Sequence, residues 1–394
     1  MNSMSPARIH LINRLPDMRT LIRVLVVLML AGALGPVSAG YAQDENTSLD
    51  LTVRNYGISI GNAPVVNGLR MNFRDDGLRR VNGINLTLWL PHDPATGTVN
   101  GLALGLPATG GGTLNGVTVG VLGLQANGSM RGVAVGGLGL GAGRDVRGVA
   151  VGGLGVGAGD IFWGIGMGGV GVGAGTDVRG IALGGLGVGA GEQLDGIAVG
   201  GLGVGAGDRM AGLAAGGLGV GAGGSLSGIA FGGLGVGAGE DIRGLVAGGL
   251  GVGAGEDLVG VGLAPIGIGA GEDVTGLTVT GLGVGAGERL RGVHVAGVGV
   301  VAPTVSGLMV ASAVGGEQIA GGMIAPAYFR IERGGRFSGA SVSAFNHIRG
   351  TQRGLTIGVF NYTRLLRGVQ IGVLNYAGNN PWPFRILPGL NVHL

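Results

Sequence analysis

The 394-residue chain predicts an all-β fold, a parallel β-solenoid of about twenty coils of 14–18 residues each. Three observations carry this expectation. Ten consecutive copies of one sixteen-residue unit run from Gly132 to Arg291, glycine reaches 96 residues, and apolar residues alternate at period two within each unit.

The N-terminus comes first. Arg8, Arg14, Arg19 and Arg23 precede an apolar run from Val24 to Leu34, and Val37-Ser38-Ala39 or Gly40-Tyr41-Ala42 offers a small-residue cleavage site. Residues 1–42 therefore read as a secretory signal peptide, with the mature chain beginning near Gly40 or Gln43. The apolar run is short for a membrane span, and Gly35-Pro36 closes it. The absence of cysteine excludes a lipid-attachment thiol, a disulfide and a thiolate metal site. The formal charge is +3; four arginines and Asp17 leave with the signal, so the mature chain is about neutral and bulk nucleic-acid binding loses its support. Charge is nonetheless uneven: from Arg330 onward there are eight arginines against Glu332 alone, whereas residues 132–291 hold more Asp and Glu than Arg.

Residues 43–67 read as a polar lead-in and N-terminal cap, opening with QDENTSLDLTVRNY. Irregular repeats fill 68–131, with copies starting at Gly68, Gly83, Gly101 and Gly116. The ten regular units occupy 132–291, and further irregular copies fill 292–380, starting at Gly292, Gly307, Gly321 or Gly322, Gly339, Gly354 and Gly368. Residues 381–394 form the C-terminal cap, in which Trp382, Pro383 and Phe384 lead into ILPGLNVHL and hide the last open edge.

Each regular unit follows G-h-x-h-G-G-L-G-V-G-A-G plus four variable residues, as in GIAVGGLGVGAGDRMA from Gly196. Six glycines, at about 0.8–1 kcal/mol each relative to alanine, exclude a helix, and they do not recur every third residue as collagen requires. Strand remains. Ile197 and Val199 form one alternating set, Leu202, Val204 and Ala206 another, and their parities clash at Gly200-Gly201. A corner at this glycine pair is expected to turn both sets inward; the copy from Gly260 has Ala264-Pro265 there, and proline suits a bend better than a central strand. Variable positions 13–16 form the other turn, with position 15 (Val178, Leu194, Ile242, Leu258, Val274) plugging the core. Some five buried aliphatics at about 1.5–3 kcal/mol each do not offset the ordering of a whole coil at about 1.5 kcal/mol per residue, so stability must come from stacking at about 4.8 Å per coil into a rod of roughly 100 Å.

The competing architecture is an outer-membrane β-barrel or pore. Export, repeat length and the alternating end Asn391-Val392-His393-Leu394 suit it; the corner proline, the scarcity of aromatics and the lack of a polar lumen-facing set oppose it.

Several residue groups invite a chemical reading. Glycines of the second arm leave one strand face nearly bare, a surface for close approach by a second copy, the membrane surface or another envelope component. Stacked turns bring Glu240-Asp241, Glu256-Asp257 and Glu272-Asp273 into register, a place for a cation unless the carboxylates splay into solvent and are offset by Arg243, Arg289 and Arg291. Asn346, Asn361 and Asn375 share position 8 of their units and are followed by His347, Tyr362 and Tyr376, which predicts amides bonded along the axis and stacked rings covering the end of the core. Phosphate-loop matches are accidental at this glycine density, since the chain has no lysine. His10, His92, His294, His347 and His393 are scattered, and only His92-Asp93, in a variable loop, offers even a fragment of a catalytic set. No catalytic, cofactor-binding or metal-ligating residue is assigned, and no cofactor, nucleic acid or small-molecule substrate is expected.

The copies GLTIGVFNY from Gly354 and GVQIGVLNY from Gly368 resemble the leptospiral-type surface-repeat family, whose short copies read glycine, aliphatic, often Gln, aliphatic, glycine, two aliphatics, asparagine. The resemblance covers about residues 339–380. It implies an exported, surface-associated protein without an assigned biochemical role. The expectation is thus a non-enzymatic structural or interaction protein of a bacterial-type envelope, at the outer membrane or cell surface.

Overall fold

A computed structural model describes residues 48–90 and 95–393. The proposed signal segment and His92-Asp93 lie outside the described residues. The described unit is all-β, a parallel solenoid of about 18 turns. Each regular coil has a long strand and a short one, as in Gln193–Gly200 and Gly203–Ala206. Long strands pair with long and short with short, parallel and in register, so that Gly196 lies beside Gly180 and Gly212, and Val204 beside Val188 and Val220. Turns and corners continue the ladder: Leu202 N donates to Leu186 O at 2.6 Å, and Asp208 N to Glu192 O at 2.9 Å. Backbone groups of each coil are thus satisfied by its neighbours, which an isolated coil cannot achieve. Parallel pairing of successive copies excludes the closed antiparallel barrel.

The copies begin where the sequence places them, from Gly68 to Gly368, with Gly321 rather than Gly322 in the column. One more copy, at Gly57, lies inside the predicted lead-in and pairs with Gly68. The column is marked by backbone geometry: Gly196 has φ +125°, and a Cβ there would run into Gly180 O. The strand passes straight through this glycine.

That continuity overturns the expected inward sets. Position 15 points inward, and strand alternation then carries Gly196, Ala198 and Gly200 to the same side. Leu194 and Ala198 are 1% and 0% exposed, whereas Ile197 and Val199 are 42% and 39% exposed. Leu202, expected inside, is exposed on the corner. The core of a coil is therefore Leu194, Ala198, Val204 and Ala206, two aliphatics and two alanines rather than five aliphatics. Its two arms lie close enough that volumes compensate. Phe162 at position 15 is matched along its own strand by Gly166 at position 3, where a Cβ would sit 2.6 Å from the Phe162 ring and 3.0 Å from Val172 of the short arm, and Gly262 makes room across the core for Ile268.

The corner does fall at the twin glycines: the long strand ends at Gly200 and the chain bends over Gly201 and Leu202. The reason differs from the expected one. Neither glycine has a positive φ; instead a Cβ on Gly201 would strike Gly185 O of the preceding coil. Pro265 occupies the equivalent bend.

Both ends are closed by a strand that reverses direction. Ser48–Val53 pairs antiparallel with Tyr56–Gly61 through a turn at Arg54 and Asn55, both at positive φ. At the other end Ile386–His393 pairs antiparallel with the last coil over Gly368 to Tyr376; the strand covers this edge, while Trp382 and Phe384, expected to help hide it, are exposed.

Candidate interaction face

Once positions 2 and 4 point outward, the register joins them into two adjacent columns along the long-arm sheet. The columns start at Leu51 and Leu49 of the N-terminal cap, which lie opposite Ile58 and Ile60. They pass through Val149 and Val151, Ile165 and Met167, Ile197 and Val199, Ile229 and Phe231, and Leu277 and Val279. They end at Val369 and Ile371, opposite Val392 and Leu390 of the C-terminal cap. Every residue in these two columns is apolar; the smallest are Ala215, Ala247, Gly322 and Ala340. No charged or hydrogen-bonding side chain interrupts them.

Exposure along the columns follows from stacking. A side chain with like neighbours on both sides, such as Ile229, is 40% exposed, while Leu49 and Leu51, on the outermost strand, are 61% and 65% exposed. The inward column between the two is the more polar one. It reads Ser59, Arg70 and Asn85 near the N-terminus, alanine through most of the regular coils, Thr278 and His294 further on, then Ser341, Thr356, Gln370 and Asn391. Over positions 2 to 4 of this arm the usual inside-out contrast of a sheet is therefore reversed.

Beyond the twin-glycine corner a further apolar column, from Leu122 through Leu138, Leu202 and Leu250 to Val298, is exposed throughout. The short arm follows, and in the regular coils its outward residues are glycines, as in Gly203 and Gly205, so the expected bare face exists there; towards the C-terminus Tyr328, Arg330, Phe345 and His347 occupy the same columns. At Gly189 and Gly253 a Cβ would meet nothing within 4 Å, so the fold itself does not demand glycine there. In the regular coils charge is gathered on the opposite edge, at the turns and at some of the positions preceding the column glycine, such as Arg147, Asp195 and Arg243.

The acidic turns stack as predicted. Glu256 N donates to Glu240 O at 3.0 Å and Glu272 N to Glu256 O at 2.9 Å, while Asp257 N donates to Asp241 Oδ1 at 3.3 Å. Arg243 pairs with Asp241 and Arg289 with Asp273, each at 2.7 Å. Repulsion, first from Glu288 and then from Glu256, Asp257 and Asp273 beside some desolvation, pushes the Glu272 carboxyl above its ordinary pKa. Among the described residues no three His, Cys, Asp or Glu side chains are grouped to hold a metal ion.

The asparagine ladder is present: Asn346 Nδ2 donates to Asn361 Oδ1 and Asn361 Nδ2 to Asn375 Oδ1, each at 2.7 Å. The rings do not cover the core. Alternation that buries each asparagine sends the next residue outward, so His347, Tyr362 and Tyr376 stand on the outer surface. The tyrosine rings are parallel at 4.9 Å, and with Phe345, Phe360 and Leu374 they line a shallow recess. His347 and Tyr328 share a hydrogen bond of 2.8 Å; burial first, then Arg349 and Arg330, hold the imidazole below its ordinary pKa. His294 is fully buried, with Nδ1 2.7 Å from Thr278 Oγ1, and burial pushes its pKa down as well.

Sequence reasoning passed over two polar groups. Asn67, Asn82, Asn100 and Asn115 form an outer amide ladder with links of 2.7–2.8 Å, signalled by the Asn-Gly pair that opens each of these copies. Arg70 and Asp75 form a buried ion pair near the N-terminal cap, and no short-range pattern marked it.

The sequence matches no family model, no curated protein and no solved structure.

Proposed function

We propose that the protein is a structural or interaction scaffold exported to the outside of a bacterial-type envelope, where its regular solenoid carries an apolar face to a partner. The observation behind this reading is the unbroken pair of apolar columns on the long arm, joined from cap to cap by the register. Soluble monomers rarely leave an apolar patch beyond a few hundred Å² uncovered. The signal-like residues 1–42 and the surface-repeat resemblance of residues 339–380 support export and surface association. The reading is non-enzymatic because the regular coils present repetition instead of a convergent set of polar groups.

Protease treatment of intact bacterial cells expressing the full chain tests the location. Loss of the protein from intact cells, and its survival as an internal pool after deletion of residues 1–42, is the expected result. Complete protection of the full chain in intact cells, with digestion only after lysis, would show that it does not reach the outside.

A further inference from the structure

We propose that the apolar long-arm face is the interface of a face-to-face homodimer, with a second copy of this chain as its occupant. The inference rests on the scaffold reading only in requiring that this face be covered.

Three arguments select a second copy. The first is area. About 18 turns at about 4.8 Å give a face roughly 85 Å long, and the two columns with their side chains span about 10 Å. Each copy thus offers on the order of 850 Å², and a pair buries roughly 1,700 Å², the size of a stable protein–protein interface.

The second is shape. Columns of like residues at constant spacing form ridges and furrows that any second copy matches, and two sheets pack face to face about 10 Å apart in this way. Rotating one copy by 180° about the rod axis lays like coil on like coil, with both rods pointing the same way. This operation also places the acidic turns Glu240, Glu256 and Glu272 of the two copies on opposite sides of the sandwich, away from each other.

The third is charge, and it argues against a lipid bilayer as occupant. The row next to the columns in the regular coils holds Arg147, Arg179, Arg243 and Arg291 against Asp195, but the turns just beyond it carry more carboxylates than arginines, so the border as a whole is not a basic belt. Membrane-docking faces are instead flanked by basic residues and interfacial Trp or Tyr, which anionic headgroups attract. Trp163 is the lone such aromatic within residues 132–291.

The absence of cysteine from the chain makes a clean test available. Full chain is expressed, purified from the producing cells without detergent, and its mass measured by light scattering. Two single-cysteine variants are then treated with a short bismaleimide, whose reach spans the roughly 10 Å between packed sheets where a disulfide cannot: Ile229→Cys on the apolar face and Gly205→Cys on the bare short arm. The expected results are a mass of two chains, and a cross-linked dimer from Ile229→Cys but not from Gly205→Cys. The double variant Ile197→Asp/Leu245→Asp, with an unchanged circular dichroism spectrum, should halve the mass; if it does not fold, the cross-linking pair decides. A monomeric wild type overturns the proposal, and its co-sedimentation with phosphatidylcholine vesicles would assign the face to lipid. Cross-linking through Gly205→Cys alone would move the interface to the glycine arm and also overturn it. A dimeric chain that stays inside the cell would sink the export reading while leaving the interface intact.

Discussion

Truncating one side chain on each face of the same strand tests the inward and outward assignment directly. Leu194 is 1% exposed and lies between Val178 and Met210 of the adjoining coils. Leu194→Ala removes three carbons at about 0.8 kcal/mol each and leaves a cavity, because ladder hydrogen bonds on both sides hold the walls apart; the expected cost is about 3–4 kcal/mol. Ile197, three residues on, is 42% exposed. Ile197→Ala loses only the covered part of the same transfer term and opens no enclosed void, so about 1–1.5 kcal/mol is expected. Ala198→Leu completes the set: it adds three carbons where Ala182 and Ala214 line the same buried column, and overpacking costs about 1–3 kcal/mol. Urea unfolding followed by circular dichroism reads the differences, and hydrogen exchange over residues 182–214 localises them, since a repeat array opens in segments. Because Ile197 lies on the proposed dimer face, the titration is repeated over a range of protein concentrations to separate dissociation from unfolding. Equal costs for Leu194→Ala and Ile197→Ala at limiting dilution, or a neutral Ala198→Leu, would refute the parity.

Two further outcomes follow from local geometry. Gly201→Val drives a Cβ into Gly185 O and should lower the melting temperature sharply, whereas Gly189→Ala, where a Cβ meets open space at ordinary strand geometry, should leave it unchanged or raise it slightly. His294 has its pKa held below the ordinary 6.5 by burial. The unfolded chain then binds a proton that the folded chain does not, so stability falls as pH drops below about 6.5, and His294→Met, which copies Met309 in the next coil, should flatten that slope in denaturant titrations between about pH 7 and 5. Glu272 works in the opposite sense: its raised pKa means that protonation within the carboxylate range favours the fold, so the two groups separate by pH window.

The fold was legible in the sequence because the repeat is nearly exact. Identical spacing forces like onto like, and parallel stacking is the arrangement that uses it. Pro265 marked the corner without any structure, since proline cannot serve a central ladder position. The direction of the side chains was not legible in the same way. Ile197 and Val199 are larger and more apolar than Ala198, and a burial argument by hydrophobicity puts them inside. Position 15 held the decisive information: with Leu194 inward and the strand unbroken through Gly196, alternation fixes every later residue. Reading Gly196 as the start of a unit concealed that it lies mid-strand. The interaction face was missed for the same reason, while the asparagine ladder, which needs only equal spacing, was found.

The reversed polarity of the long arm has its own logic at the two ends. A solenoid core that stopped on alanine and valine would present an apolar cross-section to water at each end. At the N-terminal end Arg70 pairs with Asp75 and donates to Ala63 O at 3.0 Å and Asn85 Oδ1 at 2.9 Å, while Asp75 also accepts from Asn72 and Thr87. At the other end Thr363 donates to Gln352 at 2.6 Å and Gln370 to Thr363 at 3.0 Å, beneath the strand Ile386–His393. Each network sits within the last few coils, so most of its polar atoms, Asn72 Oδ1 and Gln370 Oε1 excepted, find partners on both arms and across coils, which limits the desolvation cost of burying them. The outward columns show no such change: they stay aliphatic through Leu49 and Leu51 at one end and Leu390 and Val392 at the other. Polarity thus varies along the inner column where the core needs closing and not along the outer one, although solvent would favour polar residues there most of all. A face kept apolar over its full length, including both cap strands, is what a contact of that same length requires.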